Sequence, residues 1–203
     1  AEFPVNSTTL NSQSAPSIAM DADGDFVIAW QSYSQDASNT DGVYAQRYSA
    51  DGNEAGREFQ VNFTTTNDQQ NPSIAMGADG DFVIAWQSKG QDNSPAPDYG
   101  VYAQRYSANG TQAGTKDLLV NTVTHEHQRR PSIAMDADGD LVIAWSSFGQ
   151  VPDGSSNGIF AQRYKGASQT VDLNLVVQDD VDPVAAGGSF VYSLITTNNG
   201  TGT

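Results

Sequence analysis

Alternating carboxylates are the first residues in this chain that could do chemistry. Asp21, Asp23 and Asp25 return as Asp79 and Asp81, and again as Asp136, Asp138 and Asp140. Calcium gathers about six to eight oxygens, so such a run on a tight turn is a candidate cation site. The glycine and the later glutamate of helix–loop–helix calcium sites are missing, and Gly77 replaces the first aspartate of the second copy. The competing reading is a hairpin turn whose aspartates bond to nearby backbone amides. Calcium is the only cofactor these residues suggest; otherwise none is expected.

Arg47, Arg105 and Arg163 occupy one slot, each after a glutamine (Gln46, Gln104, Gln162). A guanidinium fork suits a carboxylate or backbone carbonyls, so a structural grip inside the body is the first expectation. A ligand-binding ring of arginines around an axis is the second, fitting an acidic sugar or a sulfate. Trp30, Trp86 and Trp145, with Tyr44, Tyr102 and Phe160, could stack sugars, but repeated strand aromatics more often bury their large area in a core. His125 and His127 could face one way on a strand and bind zinc, yet no third ligand is evident. They precede Pro131 in a segment read as a solvated loop. No G-x-S-x-G elbow and no phosphate-binding loop is present. Among 24 acidic residues a carboxylate pair of the glycoside-hydrolysing kind is available. Departures from the repeat are read as falling in turns, so the expectation is no enzyme.

The elements that carry these residues come from a repeat. The phrase from Pro16 to Trp30 returns from Pro72 to Trp86 and from Pro131 to Trp145, and it holds every tryptophan and methionine of the chain. A repeat of this length is one supersecondary unit that buries its apolar face only by stacking on its neighbours. Within a unit, a short apolar run, an Asp/Gly turn and Phe26-Val-Ile-Ala-Trp30 predict a tight hairpin. Val43 to Tyr48 predicts a third strand and Glu58 to Asn62 a fourth. Both faces of the second strand are apolar, so it is buried on both sides. A small-residue face (Ala19, Ala29, Ala45) is expected to pack on the large face of the next unit.

Four antiparallel strands per unit, with the D-x-D-G-D…W hairpin and the V-Y-A-Q-R-Y strand, resemble a blade of a bacterial extracellular β-propeller-type repeat protein over residues 1–165. The resemblance implies an all-β fold of three four-stranded antiparallel blades. Glu2-Phe-Pro-Val-Asn6 matches Glu58 to Asn62, whereas Ile159 to Tyr164 is a third-type strand with no clear fourth after it. The first residues are therefore expected to complete the last blade, within one chain or between two. Residues 1–166 form this domain, and 167–203 form a partial β segment. Asp182-Pro183, Gly187-Gly188, Tyr192 and Asn198-Asn199-Gly200 resemble the opening of an immunoglobulin-like bacterial surface repeat (about residues 171–203), or a strand segment linking subunits.

A net charge of −15 with nine Lys and Arg argues against nucleic acid and anionic membrane surfaces. No apolar run is long enough for a membrane span. The absence of cysteine excludes disulfides, thiolate metal sites and a cysteine nucleophile. No leader peptide is visible. The combined expectation is an extracellular or cell-surface, non-catalytic structural protein that self-associates into a fibre or layer, with a lectin-like carbohydrate-binding adhesion module as the alternative.

Overall fold

The computed structural model describes residues 2–36, 39–92, 97–150 and 156–166, and the strand backbones 173–179 and 192–198. The chain divides into two compact units, Ala1–Gly166 and Ala167–Thr203. Every regular element among the described residues is a strand.

The first unit holds three antiparallel sheets. β1 (Gln13–Met20), β2 (Phe26–Tyr33), β3 (Asp41–Tyr48) and the short β4 (Phe59–Gln60) form the first in sequence order. β5 (Gln69–Met76), β6 (Phe82–Lys89), β7 (Tyr99–Tyr106) and β8 (Gln112–Leu119) form the second. β9 (Gln128–Met135), β10 (Leu141–Phe148) and β11 (Asn157–Tyr164) form the third, which has three strands among the described residues. In the second unit β12 (Leu173–Asp179) pairs antiparallel with β13 (Tyr192–Asn198). The turn residues behind the immunoglobulin-like reading of that unit lie mostly outside the described residues.

Each opening hairpin is closed by its aspartate turn. Asp21 N–H donates to the Asp25 carbonyl at 2.9 Å, and Gly77 and Asp136 repeat the bond to Asp81 and Asp140. Gly80 in this turn has φ +85°, and a Cβ there would sit 2.9 Å from the Ala108 side chain. Glycine is thus demanded both by the left-handed backbone and by the neighbouring turn.

The sheets stack through unlike faces, as the alternation of side chains requires. Val27, Ala29, Val43, Ala45 and Val61 of the first sheet enclose Phe82, Ile84, Trp86, Tyr102 and Tyr106 of the second. Val83, Ala85, Val101, Ala103 and Val120 receive Leu141, Ile143 and Trp145 of the third in the same way. Small against large lets flat sheets interdigitate at interior density. The tryptophans are buried, which makes them core rather than sugar platforms.

Polar side chains tie the same faces together. Ser17 and Ser73 hydroxyls accept the Ile74 and Ile133 N–H across adjacent inner strands, both at 3.2 Å. Each inner strand bulges just before its proline, where Ala15, Asn71 and Arg130 adopt φ of 52–55°. Such backbone costs roughly 1–3 kcal/mol in a non-glycine residue and holds only where neighbours over-determine it. Gln31 and Gln87 supply that support by accepting the Asn71 and Arg130 N–H at 3.0 Å.

The stack is not closed into a ring by the first residues. Phe3 tilts onto Tyr48 of the first sheet with ring centroids 5.4 Å apart, as Phe59 does onto Tyr106 of the second. Tyr48 Oη donates to the Val5 carbonyl and Tyr106 Oη to the Val61 carbonyl, each at 3.4 Å. Residues 3–6 therefore stand where the fourth strand of a preceding blade would stand. They lie beside the first sheet instead of completing the third, because the tyrosine and the apolar groove that hold such a segment belong to the blade that follows it.

Candidate functional site

The backbone of the sheets creates two unlike ends. At one end lie the aspartate hairpins and the turns after the third strands. At the other, the inner strands begin, the second strands finish and the third strands start. At that second end one frame is built three times: Tyr33, Lys89 and Phe148 each donate their N–H to the carbonyl of Ser12, Asp68 and His127, at 2.9 Å. Gln13, Gln69 and Gln128 follow those residues, and Gln69 and Gln128 are fully buried. Asn6, Asn62 and Asn121 donate to these glutamines at 3.2–3.3 Å.

On this constant frame the exposed slots carry different chemistry. The residues before the buried glutamine are Ser12, Asp68 and His127, and those after it are Ser14-Ala15, Gln70-Asn71 and Arg129-Arg130. The third strands start with Asp41, Tyr99 and Asn157. Contacts between adjacent sheets join these slots. Gln70 Nε2 donates to Asp41 Oδ2 at 2.6 Å, and Asp41 N–H donates to Asp68 Oδ1 at 3.4 Å. One sheet further on, the Arg129 guanidinium lies over the Tyr99 ring, 4.8 Å from its centroid. Tyr99 N–H donates to His127 Nδ1 at 3.3 Å, and that nitrogen lies 3.5 Å from Asp98 Oδ1. Tyr99 Oη links the two halves by donating to Gln70 Oε1 at 3.3 Å.

The cluster polarises itself. Burial first, then the Asp68 and Asp41 carboxylates, push the Tyr99 phenol above its ordinary range, while Arg129 pulls it down. The phenol therefore stays protonated at neutral pH and serves as a hydrogen-bond donor. Arg129 Nε is buried without a hydrogen-bond partner among the described residues. Beside it, a cleft of about 280 Å³ is lined by His127, Arg129, Arg130, Ser146, Phe148 and Asn157. Sequence reasoning placed His127 in a solvated loop and the departures from the repeat in turns. The structure places both at the head of an inner strand, in contact with the preceding sheet. Aligning the three copies slot by slot around the invariant glutamine is the signal that would have found them.

Most of the other residues singled out by sequence bond within the sheets and turns. Asp21 Oδ1 accepts the Asp23 and Asp25 N–H groups at 3.0 and 2.9 Å, and Asp136 Oδ1 does the same for Asp138 and Asp140. Asp79 Oδ1 accepts the Asp81 N–H at 3.2 Å. Asp25, Asp81 and Asp140 each accept a backbone N–H of the neighbouring turn, from Ala50, Ala108 and Gly166. Among the described residues no three His, Cys, Asp or Glu side chains converge as a metal site. The arginines sit on the third strands, two strands from the inner strand of their own sheet. Arg47 donates to the Asn109 carbonyl at 2.6 Å, and Arg163 to Asp140 Oδ2 at 2.8 Å. Arg105 lines a separate cleft of about 290 Å³ with Lys116 and Lys165. Hydrogen bonds from Lys165, then Gly166 and Arg163, hold the Asp140 carboxyl well below the usual range.

No protein-family model matches the chain, and no curated protein does. Solved structures match its fold. A Hadza microbial sialidase aligns with a TM-score of 0.53 at 11% identity, over 77% of this chain and 36% of the sialidase. A protein of unknown function from Dyadobacter fermentans aligns at 0.50 and 14% identity, over 91% of this chain and 62% of that one. A family-43 endo-arabinanase from Bacillus licheniformis aligns at 0.46 and 12% identity, over 77% of this chain and 55% of the arabinanase. The chain thus spans about half the length of that enzyme. The likeness establishes propeller-type blades. It also runs against the expectation of a non-catalytic structural protein forming fibres or layers and the expectation of no enzyme, and it does not favour the lectin-like alternative. Blades of this arrangement carry the sialidase. Among the described residues no helix is long and apolar enough to cross a membrane.

Proposed function

We propose that this chain belongs to a carbohydrate-active enzyme of the glycoside-hydrolysing kind, acting at the varied end of the blades. The observation that carries the reading is the Asp41–Asp68–Gln70–Tyr99–Arg129 cluster, set on slots that vary while the surrounding frame repeats. Glycoside hydrolysis needs one carboxyl to donate a proton and a second to act as base or nucleophile. Asp41 and Asp68 are the two acids that both bear on Tyr99. The protonated phenol and the Arg129 fork supply donors for sugar oxygens, and Phe148 at the cleft wall offers a stacking face. Action on an extracellular polysaccharide accords with a cysteine-free, strongly acidic chain at the cell surface or beyond it.

Hydrolysis of a panel of polysaccharides and aryl glycosides by the full chain tests this reading. Turnover that falls about 10²–10⁴-fold in Asp41→Asn and in Asp68→Asn, with folding intact, is expected. No turnover on any substrate, or turnover indifferent to both changes, overturns it.

A further inference from the structure

Between the first and second sheets, two phenylalanines close over a tyrosine. Phe82 stacks on Tyr106 with ring centroids 4.8 Å apart and 10° between planes, and Phe59 tilts onto Tyr106 at 5.4 Å. Tyr106 is buried. Between the second and third sheets the same slots hold Leu141, Leu118 and Tyr164. Two aliphatic side chains stand where two rings stood. Tyr164 is only half-buried, Leu118 is 53% exposed, and both line the cleft of about 290 Å³. Close packing leaves few voids of this size inside a domain, so the opening is a departure from the repeat. The charge departs in the same place. Lys165 follows Tyr164 where Ser49 and Ser107 follow their tyrosines. Arg47 crosses the first gap to the Asn109 carbonyl, whereas its counterpart Arg105 lines the cleft with Lys116 and Lys165. The Arg105 and Lys116 side chains have no hydrogen-bond or ion-pair partner among the described residues. Lys165 donates to Asp140 Oδ2 at 2.7 Å, and an ammonium has two further donors to offer. Three of the nine Lys and Arg of a chain with net charge −15 thus border one groove.

From the joint loss of two rings and gain of a cation, we infer that the gap between the second and third sheets binds a small aromatic carboxylate. The ring of the ligand lies on Tyr164 in the place that Phe59 takes on Tyr106, with Leu118 and Leu141 as its apolar walls. Its carboxylate faces Arg105, Lys116 and Lys165, which supply charge-assisted hydrogen bonds. Both halves of the ligand are required by the groove. A neutral ring would leave the cations unanswered, and an inorganic anion would leave the leucines and the tyrosine in water. The groove lies towards the hairpin end of the sheets, away from Asp41 and Asp68, so the inference does not rest on the hydrolase reading.

Naphthoate titrated into the full chain, followed by its fluorescence, tests the inference, with neutral naphthalenemethanol and inorganic sulfate titrated alongside. Saturable binding of one naphthoate per chain is expected, weakening as salt is raised. Leu118→Phe restores the ring of the first gap and should weaken binding by about tenfold or more. The Arg105→Gln/Lys116→Gln double variant should also lose about tenfold, the worth of a hydrogen bond to a charged group. Arg57→Gln, at the counterpart of Lys116 in the first gap, should bind as wild type does. None of these four side chains is in the buried core, and circular dichroism checks that each variant is folded. Absence of saturable binding at millimolar naphthoate overturns the inference. So does equal binding of the neutral alcohol or of sulfate, or affinity indifferent to the double charge variant or to a folded Leu118→Phe.

Discussion

The two ends of the blades are built by the same strands and use their polar side chains in opposite ways. At the hairpin end the sequence hardly changes between copies, and its carboxylates are spent on backbone amides: Asp21 on its own turn, Asp25 and Asp81 on the neighbouring one. At the other end the glutamine, its asparagine partner, the serine opposite it (Ser32, Ser88, Ser147) and the glycine of the third strand (Gly42, Gly100, Gly158) are fixed, whereas the slots around them run from serine through aspartate to histidine, and from serine through glutamine to arginine. Repetition here marks what every blade needs in order to stand beside another. Divergence marks what only one place in the molecule needs, which is the signature of a site carried on a scaffold. The acids that look most like a metal site are the ones that accept most backbone N–H groups.

The sharpest way to break this comparison is to exchange the roles of the two ends. Asp68→Asn keeps the side-chain volume and a carbonyl oxygen for the Asp41 N–H, yet removes a charge at the varied end. A loss of about 10²–10⁴-fold in turnover with a melting temperature within a degree or two of wild type is expected. If turnover survives and the protein unfolds, the varied end is scaffold after all. The next largest effect belongs to the other end. Asp81→Ala removes the acceptor of the Ala108 N–H, which is worth about 0.5–1.5 kcal/mol for an ordinary hydrogen bond. Chemical denaturation should show that loss with turnover unchanged.

Asp140 sharpens the comparison through pH. Its carboxyl is held well below the usual range by Lys165, Gly166 and Arg163. A depressed carboxyl stabilises the fold at pH values above its unfolded pKa of about 3.9, and the contribution disappears as pH falls through the folded value. The Asp140→Asn variant should therefore melt below wild type at pH 7, and the gap should close progressively below about pH 4. Because Arg163 and Lys165 are largely exposed, the gap at neutral pH is small and shrinks in salt. A gap that persists unchanged in acid would mean that the carboxylate charge is not what holds this turn.

Much of the scaffold was legible in the sequence. The Pro-to-Trp phrase predicted the hairpins, and the small and large faces met as their sizes require, but burial on both faces holds only for β6: Phe26 and Ile28 of β2 are half-buried and Val142 of β10 is exposed. The varied end was not legible in the same way. A period-two pattern says which residues share a face, but not that a bulge before Pro131 lifts Arg129 onto a tyrosine of the preceding sheet. His127 read as solvated because its partners, Asp98 and Tyr99, sit about half a repeat away in sequence. Closure failed for a related reason: a matching strand sequence tells which slot a segment fills, and not which blade owns the slot. Phe3 found the tyrosine of the blade after it, as Phe59 did.

Calcium gives the smallest expected effect and the most direct check on how the hairpin acids are spent. A ligand that binds only the folded chain stabilises it by about 2.7 kcal/mol at a hundredfold excess over its dissociation constant, which for a chain of this size is a shift of several degrees. Each first aspartate of the outer two turns already accepts two backbone N–H groups, and each last aspartate of the three turns accepts a third from the turn beside it. A cation would have to displace those bonds and recruit oxygens that do not converge there. Millimolar calcium should consequently move the melting temperature by less than a degree, with or without Asp23→Asn. A shift of several degrees that Asp23→Asn abolishes would mean that the constant end of the blades binds a metal, and that repetition in this chain marks a site as well as a scaffold.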